Sequence, residues 1–176
     1  MIITFEQLKH YRKKVAMVDG AFDPLHRGHI EYFRAAAERL DVPLLCNVAS
    51  DRYVWSKHPP LLPEDQRAAI VDAIRYISYT HVNQFDTEAI LRELQPKYYV
   101  KGKDWEGRLP PRQVDICRRL GIRICFLDTV RDSSTRLLRA YAEGVQRRAG
   151  GQGDGDDRGG DVLQDVPNET GEVHRK

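Results

Sequence analysis

Five short apolar runs alternate with stretches whose apolar residues recur at helical spacing, and this alternation narrows the possible folds more than any other feature. The runs are "VAMVDG" (15–20), "VPLLCNVAS" (42–50), "YTHVNQF" (79–85), "KYYVKG" (97–102) and "IRICFL" (122–127). Between them lie "RGHIEYFRAAAERL", with Ile30, Phe33, Ala37 and Leu40 on one stripe, and "PEDQRAAIVDAIRYI", with Ile70, Ala73, Ile74 and Ile77. "DTEAILREL", "PPRQVDICRRLG" (closed by Gly121) and "SSTRLLRAYAEGVQRR" complete the helical set, and Thr4 with Gln7 forms a capping-box pattern for a short opening helix. Runs that are apolar on both faces suit a parallel sheet covered on both sides by helices. The expectation is therefore an α/β fold with about five parallel strands. In such sheets ligands bind beyond the carboxyl ends of the strands, near a switch in strand order. Function is expected after Gly20, Ala49, Lys101 and Leu127.

The 176 residues have room for one ordinary domain and a tail. The expected domain spans 1–145. Residues 146–176 are rich in Gly and Asp and nearly free of large apolar side chains, a composition expected to stay disordered. With 28 basic and 26 acidic residues, and the basic ones scattered, nothing marks a nucleic-acid surface. Cys46, Cys117 and Cys125 lack the paired spacing of a zinc or redox site. No signal peptide or membrane-length apolar run is read, so a cytoplasmic protein without a membrane partner is expected.

The chemistry concentrates in "DGAFDPLHRGHIEYF", residues 19–33. Gly20 ends the first strand and permits close approach of a ligand to the backbone. Pro24 stiffens the loop, and Gly28 sits near the first turn of the next helix. His26 and His29, three apart, fall on one face of that turn. Two imidazoles beside a helix N-terminus make a site for phosphoryl oxygens that gain charge in a transition state. Zinc is one competing reading, but no Cys or third His follows at a fitting interval, and the expectation is no metal-ligating set; the other is that either histidine is a helix-capping or surface residue.

"GAFDPLHRGH" resembles the signature of the nucleotidyltransferase superfamily, in which Gly-x-Phe-Asp precedes His-x-Gly-His. The chain is most similar to its cytidylyltransferase-like branch, which includes glycerol-3-phosphate cytidylyltransferase and the adenylyltransferase domain of ADP-heptose synthase. The resemblance runs from about residue 4 to residue 140 and implies a Rossmann-like sheet. It also implies transfer of a nucleoside monophosphate from an NTP to a phosphate-bearing acceptor, with release of pyrophosphate. It places Gly20, Ala21, Phe22, Asp23, His26, Gly28 and His29 at the nucleotide. Three further segments carry it. Asp51 and Lys57 match a family segment with an aspartate after the second strand and basic residues before the next helix; the resemblance implies that Lys57 reaches the acceptor phosphate or the triphosphate and that Arg67 of "PEDQR" has a site role, the bland alternatives being a solvated lysine and a helix-surface salt bridge. "VKGKDWEG" implies that Gly102, Asp104 and Trp105 border the nucleotide, with Lys101 or Lys103 supplying positive charge; a strand-ending turn packed by Trp105 is the alternative. Ser133, Ser134 and Thr135 match a hydroxyl run that holds the outer phosphates, although such residues also simply cap helices. One departure stands out, because Asp128 falls where the glycerol-3-phosphate enzymes have an arginine, with Arg131 close by.

On this reading His26, His29, Lys57 and Arg67 are the catalytic candidates and Mg²⁺ is the cofactor. The substrates are CTP or ATP and a phosphorylated sugar or polyol, in the synthesis of activated-sugar or surface-polysaccharide precursors, and relatives of this kind imply a homodimer. The alternative is a non-catalytic nucleotide-binding module of the same fold.

Overall fold

The computed structural model describes residues 1–129 and 134–150, the side chains of Thr135 and Ala149 excepted. The elements are β1 (Ile2–Ile3), a 3₁₀ helix (Phe5–Tyr11), β2 (Ala16–Gly20), α1 (Arg27–Arg39), β3 (Leu44–Ala49), α2 (Asp51–Trp55) and α3 (Glu64–Asp72). They continue with β4 (Tyr79–Asn83), α4 (Thr87–Leu94), β5 (Tyr98–Gly102), a 3₁₀ turn (Lys103–Trp105), α5 (Pro111–Arg119), β6 (Arg123–Leu127) and α6 (Ser134–Gly150). Met1–Arg139 form one compact unit carrying the sheet. In the second unit, from Ala140 on, the described residues are the remainder of α6.

All strand pairings in the sheet are parallel, and the order is β1-β4-β3-β2-β5-β6. There are six strands rather than five. The extra one, β1, pairs Ile2 with Thr80 and Ile3 with His81. Two residues are too few to show any periodicity, so this strand exists only through its partner. The Rossmann-like α/β architecture is otherwise as the alternation implies. Strand order reverses between β2 and β5, which places the crevice beyond Gly20 and Gly102.

The sheet's two faces bury different sets. Ala16, Val18, Cys46, Val48 and Val100 pack with Tyr32, Phe33 and Ala36 of α1 and Val71 of α3. Met17, Leu45 and Tyr99 pack with Leu8, with Ile90, Leu91 and Leu94 of α4, and with Ile116 and Cys117 of α5. Strands buried on both faces explain why their sequences read as unbroken apolar runs. Local signals fix the helix ends. The Asp86 carboxylate accepts from the Ala89 N–H at 2.6 Å at the start of α4, and Gly121 takes a left-handed φ of 61° after α5.

Helix α3 departs from its expected stripe. It ends at Asp72, and Ile70 and Ala73 are exposed while Arg67, Ala68 and Val71 are buried. The rotation has a polar cause: the Arg67 guanidinium needs partners that lie only on the sheet side. Helix α6 continues to Gly150, past the expected boundary at 145; the tail from 151 lies outside the described residues.

Candidate active site

The loop after β2 builds the first half of the site. A side chain at Gly20 would bring its Cβ to 2.9 Å from Phe22 Cζ, so glycine is required for the Phe22 ring to lie over the strand end. Phe22 itself takes a positive φ of 54°, an uncommon backbone state for a bulky residue. Its ring meets His29 edge-on at 5.1 Å and Phe33 at 5.3 Å. His26 is the N-cap of α1, and its ring stacks on that of His29 at 3.8 Å and 21°. The His26 backbone N–H donates to His29 Nδ1 at 3.3 Å. An accepting Nδ1 puts the proton of the neutral ring on Nε2, where a phosphoryl oxygen could accept it.

These residues line a cleft of about 340 Å³ at the switch in strand order, together with Asp19, Tyr32, Lys101, Gly102, Asp104 and Trp105. The first turn of α1 reaches the cleft through Gly28 and His29, so the positive end of the helix dipole faces it. Asp104 Oδ1 occupies the space a side chain at Gly102 would need. Lys103 pairs with Asp128 at 3.2 Å, which gives the residue replacing the expected arginine a partner at the rim. Ser134 Oγ donates to the Pro24 carbonyl at 3.0 Å, bringing the start of α6 to the histidine loop. Ser133 and the Thr135 side chain lie outside the described residues.

A second cavity of about 540 Å³ opens beyond β3 and β4 and shares Asp19, Gly20, Lys101 and Trp105 with the first. Ala21, Asn47, Tyr53, Lys57, Asn83 and Gln113 also line it. Lys57 Nζ donates to Tyr53 Oη at 2.8 Å and lies over that ring, holding an exposed ammonium at the rim. At the shared wall Lys101 is nearly buried; its Nζ is 2.8 Å from Asp19 Oδ1 and 4.4 Å from the Trp105 ring centre. Tyr99 Oη donates to Asp19 Oδ2 at 3.1 Å, and burial with the nearby Asp19 charge pushes the Tyr99 phenol far above its usual range.

Two expected site residues serve the loops instead. Asp23 is buried, and its carboxylate accepts from the backbone N–H groups of Leu61 and Leu62 at 2.7 and 3.0 Å. Arg67 is neither at the cavity walls nor on the helix surface. Its side chain is fully buried. Nε donates to Leu62 O at 2.9 Å, Nη1 to Ala21 O and Ala49 O at 2.7 and 2.8 Å, and Nη2 to Asp51 Oδ1 at 2.7 Å. The guanidinium thus ties together the chain after β2, the chain after β3 and the segment before α3, with its fork engaged by the protein rather than by an acceptor phosphate. Sequence reasoning missed Asp19, Asn47, His81 and Gln113. For Asp19, Asn47 and His81 the available signal was a polar residue interrupting a buried strand; Gln113, on α5, gave none.

Comparison with known proteins places this geometry in a family. The cytidylyltransferase-like family model matches residues 17–138. The chain belongs to the cytidylyltransferase-like family. The FAD synthase of Archaeoglobus fulgidus is 36% identical over 136 residues, covering 71% of this chain and 98% of that protein. The bifunctional protein HldE of Geobacter metallireducens is 35% identical over 141 residues, covering 74% of this chain but 28% of that protein. The chain therefore spans less than a third of that larger relative. Among solved structures, the lipopolysaccharide core biosynthesis protein of Thermoplasma volcanium shares the fold at a TM-score of 0.57 and 22% identity, covering 67% of this chain and 98% of that one. Among the described residues no helix is long and apolar enough to cross a membrane.

Proposed function

We propose that the protein transfers the nucleoside monophosphate of ATP, with CTP as the alternative donor, to the phosphate of a phosphorylated sugar or polyol, yielding an activated sugar or polyol and pyrophosphate. The observation that carries this reading is the pair of cavities meeting at Asp19, Gly20, Lys101 and Trp105, one walled by the stacked histidines and the other by Lys57 and amide side chains. The donor triphosphate fits the first cavity, and the acceptor the second. The adenine nucleotide in the product named for the FAD synthase relative supports ATP.

An acceptor phosphate oxygen attacks the α-phosphorus, and the bond from that phosphorus to the bridging oxygen of the β-phosphate breaks. Pyrophosphate departs with the electron pair. The nucleophile is already anionic, so positioning and charge stabilisation supply the catalysis. His26 and His29 bind the triphosphate and stabilise charge growing on the α-phosphoryl oxygens. Lys57 and Lys101 hold the incoming phosphate, and Ser134 the outer phosphates of the donor. Among the described residues no group of three His, Cys, Asp or Glu is placed to hold a metal ion. Mg²⁺, when bound, would come with the donor triphosphate as its counter-ion, since this ion binds mainly through substrate phosphates and retained waters.

The test is pyrophosphate release, crossing the nucleoside triphosphates against sugar and polyol phosphates. Release with one pair is expected. Tight nucleotide binding by calorimetry without release for any pair would contradict the reading and favour a binding module.

A further inference from the structure

The sheet face that meets α4 and α5 carries a cross-strand row of polar side chains. Asp19, Asn47 and His81 are register partners on β2, β3 and β4. Lys101 extends the row on β5, its ammonium on Asp19. One pleat earlier the same face is apolar, with Met17 beside Leu45 and Tyr99. A buried polar row is costly unless its members are paired. Here they are paired in twos: Lys101 with Asp19, and His81 Nδ1 with Asn47 Oδ1 at 2.8 Å.

The two pairs differ in what they face. Asp19 and Lys101 line both cavities, whereas Asn47 lines the second cavity alone, and His81 lies behind it. Asn47 and His81 are each 2% exposed. An oxygen acceptor on Asn47 requires His81 Nδ1 to donate, which fixes the tautomer of the ring. Burial holds His81 neutral, with its pKa at about 4. The His81 bond takes the amide oxygen, so the Asn47 NH₂ is the donor presented on the cavity side.

We infer that Asn47, oriented by His81, is a specificity residue for the acceptor, donating a hydrogen bond to a hydroxyl of the phosphorylated sugar or polyol. The inference rests on the reading of the second cavity as the acceptor site. A donor fixed in the sheet, away from the reacting phosphates, matches one hydroxyl oxygen of a polyhydroxylated body. His81 is a positioning residue that acts through Asn47.

The test measures KM separately for donor and acceptor in wild type, N47L, H81L, H81N and the double variant N47L/H81L. The double variant replaces both buried partners with apolar groups and keeps the fold where a single substitution orphans a polar atom. Expected is a rise of about tenfold in acceptor KM for N47L, H81L and the double variant, with donor KM unchanged. H81N, which keeps an N–H near the position of Nδ1, should restore most of the loss. Deoxy acceptors should show one hydroxyl whose removal costs wild type about tenfold and the double variant nothing. Unchanged acceptor KM in the double variant, or donor and acceptor KM rising together, would overturn the inference alone. Wild-type protein that transfers to no sugar or polyol phosphate would overturn the acceptor reading and the inference with it.

Discussion

Replacing Arg67 with lysine keeps the charge and removes the fork. The guanidinium makes four hydrogen bonds, three of them to the backbone carbonyls of Ala21, Ala49 and Leu62, which belong to different segments. A lysine has three donors on one nitrogen and cannot span these directions. At least one buried carbonyl then loses its partner, at about 1–3 kcal/mol each. The Asp51 ion pair, formed by a side chain with no exposure, is displaced as well. The combined loss is about 2–5 kcal/mol, which for a domain of this size lowers Tm by roughly 6–15 °C. Urea unfolding and thermal melts of R67K measure it directly. A melt within about 2 °C of wild type, combined with a rise in acceptor KM, would refute the reasoning. That result would assign the guanidinium to the substrate, as the motif resemblance implies.

Three other outcomes follow from the same geometry. G20A forces the Phe22 ring off the strand end and with it His29, so kcat should fall by about tenfold or more, read in steady-state kinetics. K101M leaves the Asp19 carboxylate partly buried without its ammonium, costing about 3 kcal/mol in urea unfolding, and D19N/K101M should recover most of it. The His81 pKa is lowered from 6.5 to about 4 chiefly by burial, against the opposing pull of Glu6, so the unfolded chain binds its proton first. Its contribution is fully present above pH 6.5 and declines towards pH 4, by about 3 kcal/mol over the full range, and H81N should remove that slope from unfolding measured against pH.

What could be read from the chain was local. The histidine loop is a contiguous stretch, so Gly20, Phe22, His26, Gly28 and His29 could be picked out together, and the structure gathers them at one cleft. Strands buried on both faces announce themselves as apolar runs, which is why β2 to β6 were visible and the two-residue β1 was not. Arg67 shows the limit for charged residues. A helix sequence gives no sign that three loops will converge on one guanidinium, and of the apolar stripe drawn through Ile70 only Ile74 and Ile77, beyond the end of α3, meet the core. Asn47 and His81 were hidden for a related reason. They are 34 residues apart and meet only because β3 and β4 pair in one register. Each, taken singly, reads as an interruption in an apolar strand.

The most direct measurement of the central claim is single-turnover transfer of label from the α-phosphate of ATP to a sugar phosphate, comparing wild type with H29A. The account predicts α-label in the sugar product and no γ-label, with H29A slower by about 10²-fold or more at saturating nucleotide. Transfer of γ-label, or an H29A variant that turns over as wild type does, would contradict it.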